Sequence, residues 1–164
     1  MRGPYSPVDE IMGRAILVVG TGRSGTSAVM RTLNLLGVEL GSHLMPPVPG
    51  NNDRGFWEHL DIVDAHNRLL ATLGSSWRDG YSLRSGWWSS PTVEPFRQEL
   101  LQILRRDFAS SKLWGCKDPR LCRLLPLWYG ILSELGSVPL FVFVLRRPEE
   151  VALSLSKRDQ MSEE

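Results

Sequence analysis

The hydrophobic pattern of the chain contains short continuous apolar runs separated by longer amphipathic segments. Residues 15–19 (AILVV) and 140–145 (LFVFVL) are such runs, rich in β-branched and aromatic side chains, and they predict strands. Because neither run contains a polar position, each is predicted to be a buried strand of a parallel sheet with both faces covered. A third, shorter strand is predicted over residues 113–117, which Asp118 and Pro119 bring to an end.

Apolar residues at helical spacing predict five helices between and after these strands. They cover residues 28–36, 62–73, 93–108, 121–135 and 148–157. Asp61 is the predicted N-cap of the second helix, and Pro126 is expected to start or kink the fourth. Residues 41–56 and 75–91 are predicted to be long loops. The alternation predicts an α/β fold with a central parallel sheet flanked by helices in three layers.

A glycine-rich segment, GTGRSGTS over residues 20–27, joins the first predicted strand to the first predicted helix. Backbone N–H groups of such a turn point into one concave nest, and the helix N-terminus adds a positive dipole. The segment is therefore predicted to bind an anion, and a phosphate fits it best. Its candidate binding residues are Arg23, Ser24, Gly25, Thr26 and Ser27.

The same segment differs in one position from the nucleoside triphosphate loop G-x-x-x-x-G-K-[ST]. Gly20, Gly25 and Ser27 fall in register, but Thr26 occupies the lysine position and the cation lies three places earlier, at Arg23. The lysine of the triphosphate loop reaches the β- and γ-phosphates beside a magnesium ion. Its absence favours a ligand that carries a single 5′-phosphate.

Residues 23–27 (RSGTS) resemble the 5′-phosphosulfate loop of sulfotransferases that use PAPS (3′-phosphoadenosine 5′-phosphosulfate), whose pattern is [KR]-x-G-[ST]-[ST] after a strand. In that family an arginine at a later strand end and a serine eight positions further on bind the 3′-phosphate. Arg146 and Ser154 match this spacing. The resemblance implies a P-loop-like fold and transfer of a sulfuryl group from PAPS to a hydroxyl or amine acceptor. It implies PAP as product and no metal.

Two further segments resemble bacterial members of this family. In the first, K-D-P-R, Lys117 would contact the transferring sulfuryl group or the bridging oxygen, whereas Asp118 is expected to cap the next helix. For Lys117 a place in an ordinary turn is the alternative. The second, N-x-x-G-[FY]-[FW]-E, supplies a general base. Glu58 is the first candidate, His59 the second and His43 the third, and the alternative for Glu58 is an exposed acid near a helix start.

Composition restricts the function further. The net charge is only +1, so an anion site must be local, and neither nucleic acid nor an anionic membrane is an expected partner. The apolar runs are too short to span a bilayer, and residues 1–14 contain no secretory signal, so a cytoplasmic location is expected. Cys116 and Cys122 are expected to be ordinary thiols, and the spacing of the three histidines gives no metal motif.

Several alternatives stay open at the level of sequence. A P-loop kinase or NTPase and a non-catalytic nucleotide-binding module are the rival functions. The acceptor is expected to be a small molecule, a carbohydrate or a lipid, and the oligomeric state is open. Trp77, Trp87 and Trp88 are expected to pack their loop rather than line an acceptor pocket. Residues 1–164 are expected to form one domain that corresponds to the N-terminal part of the family fold, without its C-terminal part.

Overall fold

Strands and helices follow one another along the chain in the order that the sequence predicts. The computed structural model describes residues 13–159, without the side chains of the last two, and all structural statements refer to this part. Its elements are β1 (Arg14–Val19), α1 (Thr26–Leu35), α2 (Leu60–Thr72), α3 (Glu94–Phe108), β2 (Leu113–Lys117), α4 (Leu121–Glu134), β3 (Val138–Phe143) and α5 (Pro148–Asp159). Two short 3₁₀ turns are also present: Trp87–Ser89 lies in the second predicted loop, and Pro91–Val93 lies at its end. None of these helices has the length and apolar character needed to cross a membrane.

The three strands form one parallel sheet in the order β2-β1-β3. β1 lies in the centre, and Val18 is in register with Lys117 of β2 and with Val142 of β3. The carboxyl ends of all three strands therefore meet at one edge of the sheet. Whatever follows each strand in the sequence is brought to this edge.

Helices cover both faces of the central strand. Ala15, Leu17 and Val19 point to one face and belong to the large core cluster shared with α2, α3 and α4. Ile16 and Val18 point to the other face and pack against α1. This alternation is the period-two geometry of a strand with two buried faces. It confirms the predicted three-layer α/β fold.

β3 differs from the predicted strand in both position and exposure. It ends at Phe143 rather than at residue 145, and it pairs with β1 alone, so it is an edge strand of the described sheet. Phe141 and Phe143 are 41% and 64% exposed and stack on each other. The prediction that both faces are covered was wrong, because an apolar run shows what a strand could bury and not which neighbours it has.

A predicted helix cap was also wrong, and one of the two roles predicted for Pro126, that of starting a helix, is excluded. α2 begins at Leu60 with His59 as its cap residue, so Asp61 lies in the first turn and does not cap it. The Asp61 carboxylate instead pairs with His43 and Arg106. Pro126 lies inside α4, because the helix has already begun at Leu121.

Candidate functional site

The loop between β1 and α1 adopts a conformation suited to anion binding. Arg23 has φ 68° and Gly25 has φ 96°, so two residues of the turn are left-handed. For a non-glycine residue such as Arg23 this conformation costs about 1 kcal/mol or more, and such residues cluster at functional sites. Left-handed residues alternating with right-handed ones turn successive N–H groups to the same side. The hydroxyls of Thr21 and Ser24, 2.7 Å apart, brace the turn from within.

The N-terminus of α1 continues this nest. Its cap residue is Gly25, and no side chain hydrogen-bonds to the first N–H groups of the helix. Those groups and the positive end of the helix dipole are therefore available to an anion. Gly20 holds the loop against the sheet, since a Cβ there would lie 2.7 Å from the carbonyl oxygen of Val144 and 2.8 Å from Cγ2 of Thr26.

Arg23 connects the loop to two distant segments. Its Nε donates to Oγ of Ser154 on α5 at 2.9 Å, and its Nη1 donates to the carbonyl and side-chain oxygens of Asn51. Arg146, three residues beyond the end of β3, donates from Nη1 to the backbone carbonyl of Arg23 at 3.1 Å and pairs with Glu150. The two residues predicted for the 3′-phosphate thus both contact the residue predicted for the 5′-phosphosulfate.

Lys117 reaches the same place from the end of β2. Its Nζ donates to Oγ of Ser27 at 3.1 Å and to Oε1 of Glu58 at 2.5 Å. Nδ2 of Asn52 also donates to Oγ of Ser27, at 3.2 Å. Because that oxygen accepts from two donors, its own hydrogen is free to be donated to an anion. The structure therefore brings Lys117 and Glu58 to the anion loop.

Glu58 is buried, contrary to the alternative that it is an exposed acid. Burial raises the pKa of its carboxyl above the ordinary value, while the ammonium of Lys117 acts in the opposite direction without cancelling the effect. A carboxylate with a raised proton affinity is better matched to proton transfer near neutral pH than an ordinary one.

The two candidate histidines lie elsewhere. His59 is buried, and its Nε2 hydrogen-bonds to Asp107 of α3 at 2.8 Å, while its Nδ1 has no partner among residues 13–159. Burial lowers the pKa of His59, against the influence of Asp107. His43 is exposed and hydrogen-bonds to Asp61. Neither histidine is hydrogen-bonded to Lys117 or to the anion loop, so Glu58 is the candidate base that the structure places there.

A group of possible metal ligands lies between α2 and α3. Ligand atoms of His59, Asp61 and Asp107 are within 4.8 Å of one another. Nη2 of Arg106 lies 2.6 Å from a carboxylate oxygen of each aspartate, so both carboxylates already have a guanidinium as partner. An open groove runs along this side of the molecule rather than at the strand ends; it is lined in part by His43, Asp61, Glu99 and Arg106.

Sequence reasoning missed a buried polar network behind Lys117. Asp118 accepts the backbone N–H of Arg120 at 2.9 Å, but Arg120 is the cap residue of α4 and has no side-chain cap hydrogen bond, so the prediction that Asp118 caps this helix was wrong. Its other oxygen lies 2.7 Å from Nδ1 of His66, whose Nε2 accepts the indole N–H of Trp128 at 2.8 Å. His66 and Asp118 are 52 positions apart. No local signal in the sequence connects them.

The tryptophans of the second loop have different environments. Trp87 is buried in the large core cluster with its ring edge-on to Trp88, so the prediction that it packs the loop is confirmed. Trp77 is about half exposed, and its ring centroid lies 5.8 Å from the guanidinium carbon of Arg120. Trp77 therefore lies next to Arg120. Both cysteines are free thiols.

No protein-family model, no curated protein and no solved structure matches this chain. The geometry of the described residues is therefore the basis for assigning a function. That geometry joins the glycine-rich turn before α1, two arginines and a buried lysine–glutamate pair at the carboxyl edge of a parallel sheet.

Proposed function

We propose that the protein is a PAPS-dependent sulfotransferase, which transfers a sulfuryl group from PAPS to a hydroxyl or amine acceptor. The observation that carries the proposal is the meeting of four separate segments at one sheet edge: the loop after β1, residues 51–58, the end of β2 and α5. This edge is where open α/β sheets bind their ligands. Each of the four carries residues that resemble the motifs of that family.

The proposed donor site uses groups that are ready to face an anion. The nest, the N-terminus of α1 and Arg23 take the 5′-phosphosulfate, and Arg146 with Ser154 takes the 3′-phosphate. The contact of Arg146 with the backbone of Arg23 supports a ligand that bears both groups. Because Oγ of Ser154 already accepts from Arg23, its hydrogen is free to be donated to the 3′-phosphate.

The proposed reaction is an in-line transfer with Glu58 as general base. Glu58 takes the proton of the acceptor O–H or N–H while that oxygen or nitrogen bonds to sulfur. The bond between sulfur and the bridging oxygen breaks, and its electron pair stays on the 5′-phosphate of PAP. Lys117 contacts both the proposed base and the proposed donor site, since its Nζ donates to Glu58 and also to Ser27. The positive charge of Lys117 would stabilise the bridging oxygen, which gains negative charge as its bond to sulfur breaks.

The setting of the reaction is also part of the proposal. Free Cys116 and Cys122 fit a reducing compartment, and we place the enzyme in the cytoplasm. The acceptor, a small molecule, a carbohydrate or a lipid, would approach Glu58 from the side of Arg120 and Trp77. Nη1 of Arg120 lies 4.0 Å from Oε2 of Glu58, and the ring of Trp77 lies next to Arg120.

Calorimetric titration with PAP, beside ATP with magnesium, tests the donor site. We expect PAP to bind and ATP to bind weakly, and we expect Arg23→Ala and Arg146→Ala each to weaken PAP binding at least about tenfold, the loss of one charge-assisted hydrogen bond. Arg31→Ala is the matched control, because this arginine of α1 stacks on Trp57 and does not contact the loop. Tighter binding of ATP than of PAP would refute the proposal. PAP binding that is unchanged in both Arg23→Ala and Arg146→Ala would refute it as well.

A further inference from the structure

A chain of buried hydrogen bonds runs from the core to the neighbourhood of Glu58. It begins at the indole of Trp128, which donates to Nε2 of His66. An indole N–H can only donate, so Nε2 of His66 must be the acceptor, and its Nδ1 carries the hydrogen. That hydrogen is donated to Oδ2 of Asp118. His66 is therefore a neutral imidazole with one defined tautomer, and Trp128 fixes which one.

The second oxygen of Asp118 holds Arg120. Oδ1 accepts from the backbone N–H of Arg120 at 2.9 Å and from its Nη1 at 2.7 Å. Nε of the same guanidinium donates to Oδ1 of Asn67 at 2.7 Å. The arginine is thus held from two sides, and its Nη1 stops 4.0 Å from Oε2 of Glu58. This distance is longer than a charge-assisted hydrogen bond of about 2.8 Å.

We propose that Asp118 is a positioning residue for Glu58: supported by His66 and Trp128, it holds the guanidinium of Arg120 beside the base but out of contact with it. This inference rests on the proposed role of Glu58. A guanidinium in full contact would stabilise the carboxylate and make it a poor proton acceptor. With Asp118 in place, Arg120 stays beside the base without lowering its proton affinity as a direct contact would.

The charged groups around Glu58 determine in which direction its proton affinity should change when Asp118 is neutralised. Lys117, from the end of β2, and Arg120, from the start of α4, lower the pKa of Glu58, whereas burial and the charge of Asp118 raise it. Neutralising Asp118 removes a negative neighbour and also releases Arg120 toward Glu58. Both effects lower the proton affinity of Glu58, so they cannot cancel.

The test is a titration of the Glu58 side chain by carbon-13 NMR of labelled carboxyl groups, with Glu58→Gln used to assign the signal. In Asp118→Asn we expect the proton affinity of Glu58 to fall about tenfold, the usual effect of a changed charge at this range. Trp128→Phe keeps an aromatic ring and removes the donor to His66, so a smaller fall is expected. In Arg120→Gln the proton affinity of Glu58 should rise, because the substitution removes a cation beside the carboxylate.

Asp107→Asn is the matched control. It breaks another hydrogen bond between a buried histidine and an aspartate, that of His59, which does not lead to Glu58, and it should leave the Glu58 titration unchanged. A Glu58 titration that is unchanged or moved upward in Asp118→Asn would overturn the inference. If Asp118→Asn does not fold, the other two variants decide: the proton affinity of Glu58 should fall in Trp128→Phe and rise in Arg120→Gln. Changes of the same sign in both variants, or no change in either, overturn the inference. The titration needs neither PAPS nor acceptor, so its result is separate from the test of the proposed function.

Discussion

Lys117 and Glu58 form an ion pair that is almost completely withdrawn from water. Their side chains are 2% and 7% exposed, and they come from positions 59 residues apart in the chain. Taking two charges out of water is costly, and only a good partner for each charge compensates for it. Each of the two residues therefore depends on the other for stability as well as for any role in catalysis.

The first prediction concerns the loss of one partner of this pair. Glu58→Gln and Lys117→Met should each lower the free energy of unfolding by about 3–5 kcal/mol, because each leaves one buried charge uncompensated. The double variant should lose clearly less than the sum, since no charge is then left alone. Urea unfolding of the four proteins measures this.

An exposed pair serves as the control for this cycle. Asp64 and Arg68 form an ion pair on α2 whose two side chains are largely in solvent, and breaking it should cost less than about 1 kcal/mol. Strictly additive losses for Glu58→Gln and Lys117→Met would show that the two charges do not depend on each other.

The second prediction tests the close approach of the anion loop to β3. Gly20→Ala places a methyl group 2.7 Å from the backbone oxygen of Val144, which has no flexible atom that can yield, so we expect a loss of about 1–3 kcal/mol in unfolding free energy. Gly22→Ala in the same loop meets nothing within 4 Å and should change stability by about 0.5 kcal/mol at most. Thermal unfolding compares the two, and equal effects would contradict the described loop packing.

The third prediction is a pH dependence that originates in His59. Burial is the main cause that lowers its pKa in the folded protein below the ordinary 6.5. Between the two values the unfolded chain binds more protons than the native one, so stability rises with pH there. Stability contributed by neutral His59 is thus present above pH 6.5 and lost as pH falls below it.

His59→Gln should make the free energy of unfolding depend less steeply on pH below 6.5. In Asp107→Asn the free energy of unfolding should depend more strongly on pH below 6.5. The hydrogen bond to Asp107 raises the pKa of His59, so its loss lowers that pKa further. Urea unfolding at a series of pH values measures both slopes. Equal slopes in the original protein and in His59→Gln would show that the histidine is not the source.

The sequence predicts the order of elements and the turn between β1 and α1 well, because both are local features. The apolar runs of β1 and β3 and the glycines around Arg23 are each complete within a few residues. The separation of Glu58 from His59, by contrast, follows from the backbone conformation, which the sequence alone does not supply. His59 has extended backbone angles, and successive side chains of an extended segment point in opposite directions. Only one of these neighbours can then face Lys117.

Other features depend on contacts that no local pattern contains. The apolar run of β3 is the same whether the strand is central or at an edge, so its exposure required the sheet order. The role of Asp118 depends on His66 and Trp128, which belong to two different helices. Periodicity marks Trp128 as a core residue. It does not reveal that a histidine will lie 2.8 Å from its indole nitrogen.

The last prediction concerns the loop that carries Trp77 to the side of Arg120. Arg123 of α4 holds this loop through hydrogen bonds to Ser75, Ser76, Asp79 and Tyr81. Removing the guanidinium in Arg123→Ala takes away these contacts at once, while the helix itself keeps its apolar face. Amide hydrogen exchange over residues 75–81 should then become faster by about tenfold or more, with little change in the core strands. Arg105→Ala, which removes one long ion pair to Glu134, is the control and should leave the loop unchanged. If exchange in the loop is equally slow without Arg123, the loop is held by its tryptophans and not by this arginine.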